Sequence, residues 1–275
     1  MKKELIEFGT KLSAGATGGW VGGIVGTAIA GPLGSVLGAL AGAGMEYGLT
    51  TIGDYMSDAL SKNEVQKVLS ALDYATKRYK ERILAGDIPR NDGFFDNKEG
   101  ERSDDKEVLE GIIYASQREF EEKKIKYIGI MYANIAFRDD ISRTEANQLI
   151  RVAEDLSYKQ LCLIASLAII QKSKQGGVNL ALKKAFQTIS GYSKIALATE
   201  LFGLYTSGYI SSSSAIFDPA GICPNDLSLT GISAQLYELM ELSTLENRPY
   251  EIADSLTFLT GIEPKFSNAE GYIWE

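Results

Sequence analysis

The chain has 275 residues, of which 45% are apolar and 23% are charged, proportions typical of a globular protein with one large domain or two small ones. Its net charge of −8 argues against a main role in nucleic-acid binding, because proteins with that role usually carry a basic surface. The absence of histidine excludes a Ser–His–Asp or Cys–His catalytic triad and any imidazole metal site. Cys162 and Cys223 lie far apart in the sequence, which argues against a disulfide scaffold and fits a reducing cytoplasm.

Near the N-terminus lies an uncharged block of 34 residues, 12–45. Small residues recur within it every four positions, at Gly18, Gly22, Gly26, Ala30, Gly34, Gly38 and Gly42. Gly31 and Pro32 stand in the middle of the block, where proline interrupts a helix and disfavours helical backbone in the residue before it. We therefore predict a helical hairpin with arms over 12–30 and 33–49.

This ridge of small residues has two physical interpretations. Glycine costs about 1 kcal/mol relative to alanine in a water-exposed helix, so the ridge needs a packing reason. In a bilayer, small residues at this spacing drive close helix association. In a soluble protein, they would allow a tight hairpin sheltered by other helices. Trp20 and Tyr47 stand near the two ends of the block, where they are suited to anchor it at a membrane interface.

Beyond residue 50, the pattern becomes that of soluble helices. We predict a mainly α, multi-helix protein with an N-terminal region 1–50, a helical region 51–142 and a C-terminal domain 143–275. In the middle region, the capping box of Ser61 and Glu64 opens a helix that ends near Gly86.

A polar loop then covers 86–104, with Phe94 and Phe95 expected to anchor it. Asp104 and Glu107 form a second capping-box pattern, which predicts one long helix over 105–137. The charged middle of that helix, REFEEKKIK, is interpreted as a face turned to solvent or to a partner.

The C-terminal domain carries capping boxes at 142–145 and 157–160. The predicted helices cover 143–155, 158–173, 178–189, 193–205, 231–244 and 249–260. Two short strands are predicted in SGYISSSSAIF and NDLSLTG. This order of elements indicates a winged-helix-like arrangement with a small β-wing. The helix before the wing, YSKIALATELFGLY, offers one lysine, one glutamate and no Arg, Asn or Gln, so we interpret the domain as structural or protein-binding and consider nucleic-acid binding unlikely.

The pairs Asp104–Asp105 and Asp139–Asp140 are the candidate metal ligands. Both pairs precede predicted helices, where carboxylates interact favourably with free amides and with the helix dipole. We therefore predict helix capping at both pairs. No catalytic residue, metal or cofactor is expected, and the chain is interpreted as a protein without enzymatic activity.

The segment MYANIAFRDDISRTEANQLIRVAEDLSYKQLCLIASL resembles soluble regions of bacterial abortive-infection proteins that act at membranes. The N-terminal block separately resembles glycine-zipper segments of membrane-active bacterial proteins. Together these resemblances imply a pore-forming phage-defence effector, held in the cytoplasm until a partner protein or a phage-derived trigger releases its hairpin into the inner membrane. Released hairpins would contact lipid and associate as homo-oligomers. The alternative is a sensor, an adaptor or a membrane-anchored protein-binding module without pore activity.

Overall fold

A computed structural model describes residues 61–96, 103–175, 192–223, 226–245, 265–267 and 271–273. The predicted hairpin 12–49 lies outside these residues, as do the helices predicted over 178–189 and 249–260. The described residues form seven α-helices and short strands, which confirms the mainly α fold. Within them, no helix has both the length and the apolar character that crossing a bilayer requires.

Residue contacts divide the chain into two compact units, Met1–Glu154 and Asp155–Glu275. The domain limits predicted at 50/51 and 142/143 stay predictions. In the first unit, the described helices are α1 Lys62–Leu84, α2 Asp104–Arg118, α3 Glu122–Ile135 and α4 Arg143–Asp155, the last of which ends at the unit boundary.

Helix α1 begins at the predicted capping box. The Ser61 amide donates to Glu64 Oε2 at 2.7 Å, and Ser61 Oγ accepts from the Glu64 amide at 3.3 Å. The helix ends at Leu84, and Gly86 follows with a φ of +93°, a conformation that glycine adopts without steric cost. The apolar face predicted for α1 is buried at Val68, Leu69, Leu72, Ala75 and Tyr79.

The single helix predicted over 105–137 is wrong, because the chain turns back between α2 and α3. Glu119 is extended, with φ −64° and ψ 128°, and Glu121 follows with φ −87° and ψ 91°. Tyr132 near the end of α3 reaches Asp105 in the first turn of α2, so the two helices form an antiparallel hairpin. Helix α3 is the central element of the unit, since it is buried over most of its length and packs on both α1 and α2.

The capping pattern predicted for Asp104 and Glu107 is also wrong. Helix α2 begins at Asp104, Ser103 occupies the N-cap position, and its side chain makes no capping hydrogen bond. Glu107 instead accepts a hydrogen bond from Asn147 of α4 at 2.6 Å. The boxes predicted at 142–145 and 157–160 are confirmed by their reciprocal side-chain and backbone hydrogen bonds.

The described helices of the second unit are α5 Tyr158–Gln175, α6 Tyr192–Thr206 and α7 Gly231–Leu239. Helix α5 lies in the core and packs against both other helices, with Leu161, Cys162, Leu163 and Ile164 fully buried. Cys162 therefore packs as the predicted small apolar residue. The predicted helix over 231–244 is shorter than expected and ends at Leu239, before a 3-10 turn at Leu242–Thr244.

The two predicted strands are confirmed as β1 Ile210–Ser212 and β2 Leu227–Leu229. They pair antiparallel, with Ile210 opposite Leu229. A second antiparallel pair, β3 Lys265–Ser267 and β4 Gly271–Ile273, was not predicted.

Candidate functional site

The residues predicted to act on membranes lie outside the described part of the chain. They are Gly18, Gly22, Gly26, Ala30, Gly31, Pro32, Gly34, Gly38 and Gly42, with Trp20 and Tyr47 as the interfacial anchors. The candidate site that the described residues offer is instead a buried polar cluster in the first unit.

Asp105 forms the centre of this cluster. Its side chain projects from the first turn of α2 and accepts a hydrogen bond at 3.0 Å from the hydroxyl of Tyr132 on α3. Asp105 is only 1% exposed, and Tyr132 and Tyr79 of α1 are equally enclosed. Three helices therefore surround one carboxyl group, which is an uncommon place for an ionisable side chain.

Burial raises the pKa of Asp105 from its ordinary value of 3.8 to about 7. Desolvation of the charged form is the dominant cause, and the hydrogen bond from Tyr132 and the charge of Lys106 oppose it. Burial, with a contribution from the Asp105 charge, also raises the pKa of Tyr79 to about 12. Near pH 7 the cluster therefore holds two neutral phenols and a carboxyl group that is about half protonated.

Two hydroxyl groups in this region are buried without a hydrogen-bond partner among the described residues. These are Tyr79 Oη and Ser103 Oγ. An unpaired buried hydroxyl costs about 1–3 kcal/mol of desolvation.

Arg90 holds the loop before α2 in place next to the cluster. The Arg90 guanidinium donates to the carbonyl of Ile141 at 2.8 Å, pairs with Asp92 and stacks 4.2 Å from the centre of the Phe94 ring. The carbonyl of Phe94 in turn accepts the Asp105 amide at 3.1 Å. Phe94 thus anchors the loop as predicted, and the same contact fixes the backbone at Asp105.

A second buried polar group lies at the turn between α2 and α3. Lys124 Nζ lies 2.5 Å from Glu119 Oε2 and donates to the Glu154 carbonyl at 3.0 Å. The Lys124 and Glu119 side chains are each only 2% exposed, whereas Phe120 between them is 84% exposed. The interpretation of REFEEKKIK as a face turned to solvent or to a partner is therefore wrong for Glu119 and Lys124, which are buried against each other.

Neither aspartate pair occupies an N-cap position: Ser103 is the N-cap of α2, with Asp104 and Asp105 in its first turn, and Ser142 caps α4. Asp140 accepts two hydrogen bonds from Arg138 at 2.7 Å, and Asp104 lies 3.3 Å from Arg143. Within the described ranges, no group of three or more Cys, Asp or Glu side chains is arranged to hold a metal ion.

Sequence reasoning missed both buried polar groups. Asp105 carries the same local signal as any acidic residue at a helix start, and its partners stand in two other helices. Lys124 sits in a charged run that ordinarily indicates a surface.

Comparisons of the chain with protein families, curated proteins and solved structures gave no match.

Proposed function

We propose that the protein is a non-enzymatic, membrane-disrupting effector that inserts its glycine-rich hairpin, residues 12–49, into the inner membrane. The observation that carries the proposal is the uncharged block 12–45, with its small residue at every fourth position and its break at Pro32. A simple anchor needs apolar length, but a ridge of small residues serves close helix association in lipid.

In this proposal the hairpin is kept out of the membrane until a partner protein or a phage-derived trigger releases it. Each arm is short for a span of about 20 residues, so inserted hairpins would have to associate or thin the bilayer. Released hairpins would pack through their ridges and let the membrane leak. Phage defence is the proposed setting, because the segment that begins with MYANIAFRDD resembles soluble regions of abortive-infection proteins.

The second unit is proposed to bind the partner through a winged-helix-like arrangement. Support comes from the order of elements, in which α6 precedes the β1–β2 pair and α7 follows it. The exposed side chains of α6 include Ile195 and Thr199, and Glu200 accepts a hydrogen bond from Gln160 at 2.8 Å. Such a surface fits a protein better than it fits the phosphates and base edges of DNA.

Dye release from vesicles tests the proposal. Full-length protein is added to phosphatidylethanolamine–phosphatidylglycerol vesicles filled with a self-quenching dye, at neutral pH. Because the resting chain is proposed to hold the hairpin back, release is measured with and without a low urea concentration that loosens the fold in place of the trigger. We expect the wild-type chain to release dye when its fold is loosened, and we expect this release to be lost when Gly22, Gly26, Gly34 and Gly38 are changed to leucine. The matched control changes Gly19 and Gly23 to leucine and is compared with a variant that changes only Gly22 and Gly26, because all four glycines lie on the first predicted arm and only the second pair belongs to the ridge.

Three results would count against the proposal. Equal release by the ridge variant, with an unchanged circular dichroism spectrum, contradicts association through the ridge. Equal loss of dye release in the ridge and control variants would show that large side chains anywhere in the block prevent release, whether or not they lie on the ridge. Absence of release by the wild-type chain, combined with permanent residence in the membrane fraction of cells, favours the anchored sensor or adaptor.

A further inference from the structure

The hydrogen bond between Asp105 and Tyr132 closes the α2–α3 hairpin at its open end. The two residues are 27 positions apart in the sequence, yet their oxygens lie 3.0 Å from each other. In the continuous helix that the local sequence favours, they would be about 40 Å apart at 1.5 Å per residue. At the other end of the hairpin, the turn is held by the buried pair of Glu119 and Lys124.

The groups that act on Asp105 come from each of the three helices around it. Tyr132 of α3 donates the hydrogen bond, Tyr79 of α1 interacts with its charge, and Lys106 is the neighbouring charge on its own helix. The described residues give Asp105 no ion-pair partner. Asp104, by contrast, is paired with Arg143 of α4. Among the described residues, an ionised Asp105 therefore has the Tyr132 hydroxyl as its side-chain donor and is shielded from water, which is a costly place for a charge.

We propose that Asp105 and Tyr132 form a proton-dependent clasp, which holds α2 against α3 while the carboxyl group is neutral and loosens when that group ionises, because the cost of burying the charge exceeds the gain from a stronger hydrogen bond to Tyr132. The clasp goes beyond the proposed membrane activity, and its test requires no membrane. It gives the first unit a built-in response to pH that acts on the closure of one helical hairpin.

The direction of the pH dependence follows from the raised pKa of Asp105. The folded chain holds this proton up to about pH 7, whereas the unfolded chain releases it near 3.8. Between these values the folded state binds more protons, so the stability that the neutral carboxyl contributes is complete below 3.8 and is lost as the pH rises through 7. The full shift corresponds to about a thousandfold change in the folding equilibrium of the unit.

Carbon-13 NMR of the full chain tests the clasp directly, through the carboxyl shift of Asp105 as the pH is raised. Amide hydrogen exchange of α2 and α3 over the same range reports the closure of the hairpin, once each rate is divided into the base-catalysed intrinsic rate to give a protection factor. We expect a carboxyl midpoint near pH 7 and protection factors in both helices that fall as the pH rises towards that midpoint and then level off. Titration of Asp105 near 3.8 would overturn the proposal, as would protection factors in the two helices that stay constant through the titration.

Two variants separate the clasp from a merely structural contact. Asp105→Asn keeps an acceptor for Tyr132 and cannot ionise, so the pH dependence of the protection factors between about 4 and 8 should largely vanish. Asp139→Asn makes the same change at an exposed site and should keep the wild-type dependence. Tyr132→Phe removes a bond that favours the charged form, so it should move the Asp105 midpoint upward. If the protection factors of Asp105→Asn depend on pH as those of the wild type do, the proposal is contradicted. If Asp105→Asn does not fold, the titration of the wild-type chain alone tests the proposal.

Discussion

The backbone of Gly129 in α3 lies directly against the backbone of Ala71 in α1. A Cβ atom built on Gly129 would lie 2.1 Å from the carbonyl oxygen of Ala71 and 2.9 Å from its carbonyl carbon. No rotamer change relieves such a contact, because the obstacle is main chain in the middle of a helix. The close crossing of α1 and α3 therefore depends on glycine at this one position.

Gly129→Ala is expected to destabilise the first unit by about 2–3 kcal/mol, although alanine is the better helix former. The added methyl group forces α1 and α3 apart, and overpacking of this kind costs about 1–3 kcal/mol or more. Urea denaturation followed by circular dichroism gives the change in the free energy of unfolding. Amide hydrogen exchange of α1 and α3 assigns that change to the first unit.

Gly203→Ala in α6 is the matched control for this prediction. A Cβ atom at Gly203 would meet nothing within 4 Å, and the residue lies inside a helix. The gain in helix propensity should stabilise the second unit by about 0.5–1 kcal/mol. If Gly129→Ala lowered the free energy of unfolding no more than Gly203→Ala does, the backbones of α1 and α3 would not be in contact at Gly129.

The buried pair of Glu119 and Lys124 leads to a second prediction. Lys124→Met should destabilise the first unit by about 3–5 kcal/mol, because the Glu119 carboxylate is left buried without its cation. The Glu154 carbonyl at the end of α4 also loses a donor. The measurement is again urea denaturation, and hydrogen exchange in the last turn of α4 should accelerate together with that in α3.

A double-mutant cycle identifies the cause of that loss. The variant with both Glu119→Gln and Lys124→Met removes both charges, so it should be more stable than Lys124→Met alone. Lys123→Met makes the same substitution at an exposed neighbouring residue. It should change the free energy of unfolding by less than about 0.5 kcal/mol. Additive effects of the two single changes would show that the ion pair contributes nothing of its own.

Features with a local cause were predictable from the sequence. Helices α1, α4 and α5 begin directly after the N-cap serines that the sequence predicts at 61, 142 and 157. These starts are predictable because all the residues of a capping box lie within four positions of the sequence. The β1–β2 pair was likewise indicated by its own residues and by the loop between them. These signals gave the helical class and most of the described element boundaries.

The turn at 119–121 had no such local signal. Its sequence holds neither glycine nor proline, so helix propensity alone favours one continuous helix. The break is stabilised by Lys124, which reaches a carbonyl 30 positions along the chain. The role of Asp105 also has no local signal, since it is set by Tyr132 and Tyr79 on other helices. Tertiary contacts of this range leave no trace in a local pattern.

The unpaired hydroxyl of Tyr79 supports a last prediction, in which losing a polar group is favourable. Tyr79→Phe should stabilise the first unit by about 1 kcal/mol, because Tyr79 Oη is buried without a hydrogen-bond partner among the described residues. The ring itself should stay in place, since it packs 5.0 Å from the Phe137 ring. Tyr132→Phe offers the opposite case, because its hydroxyl is bonded to Asp105, and it should lower the free energy of unfolding. Both variants are compared by urea denaturation near pH 6, where Asp105 is mostly neutral. If Tyr79→Phe lost as much stability as Tyr132→Phe, the Tyr79 hydroxyl would have a hydrogen-bond partner and the prediction would be wrong.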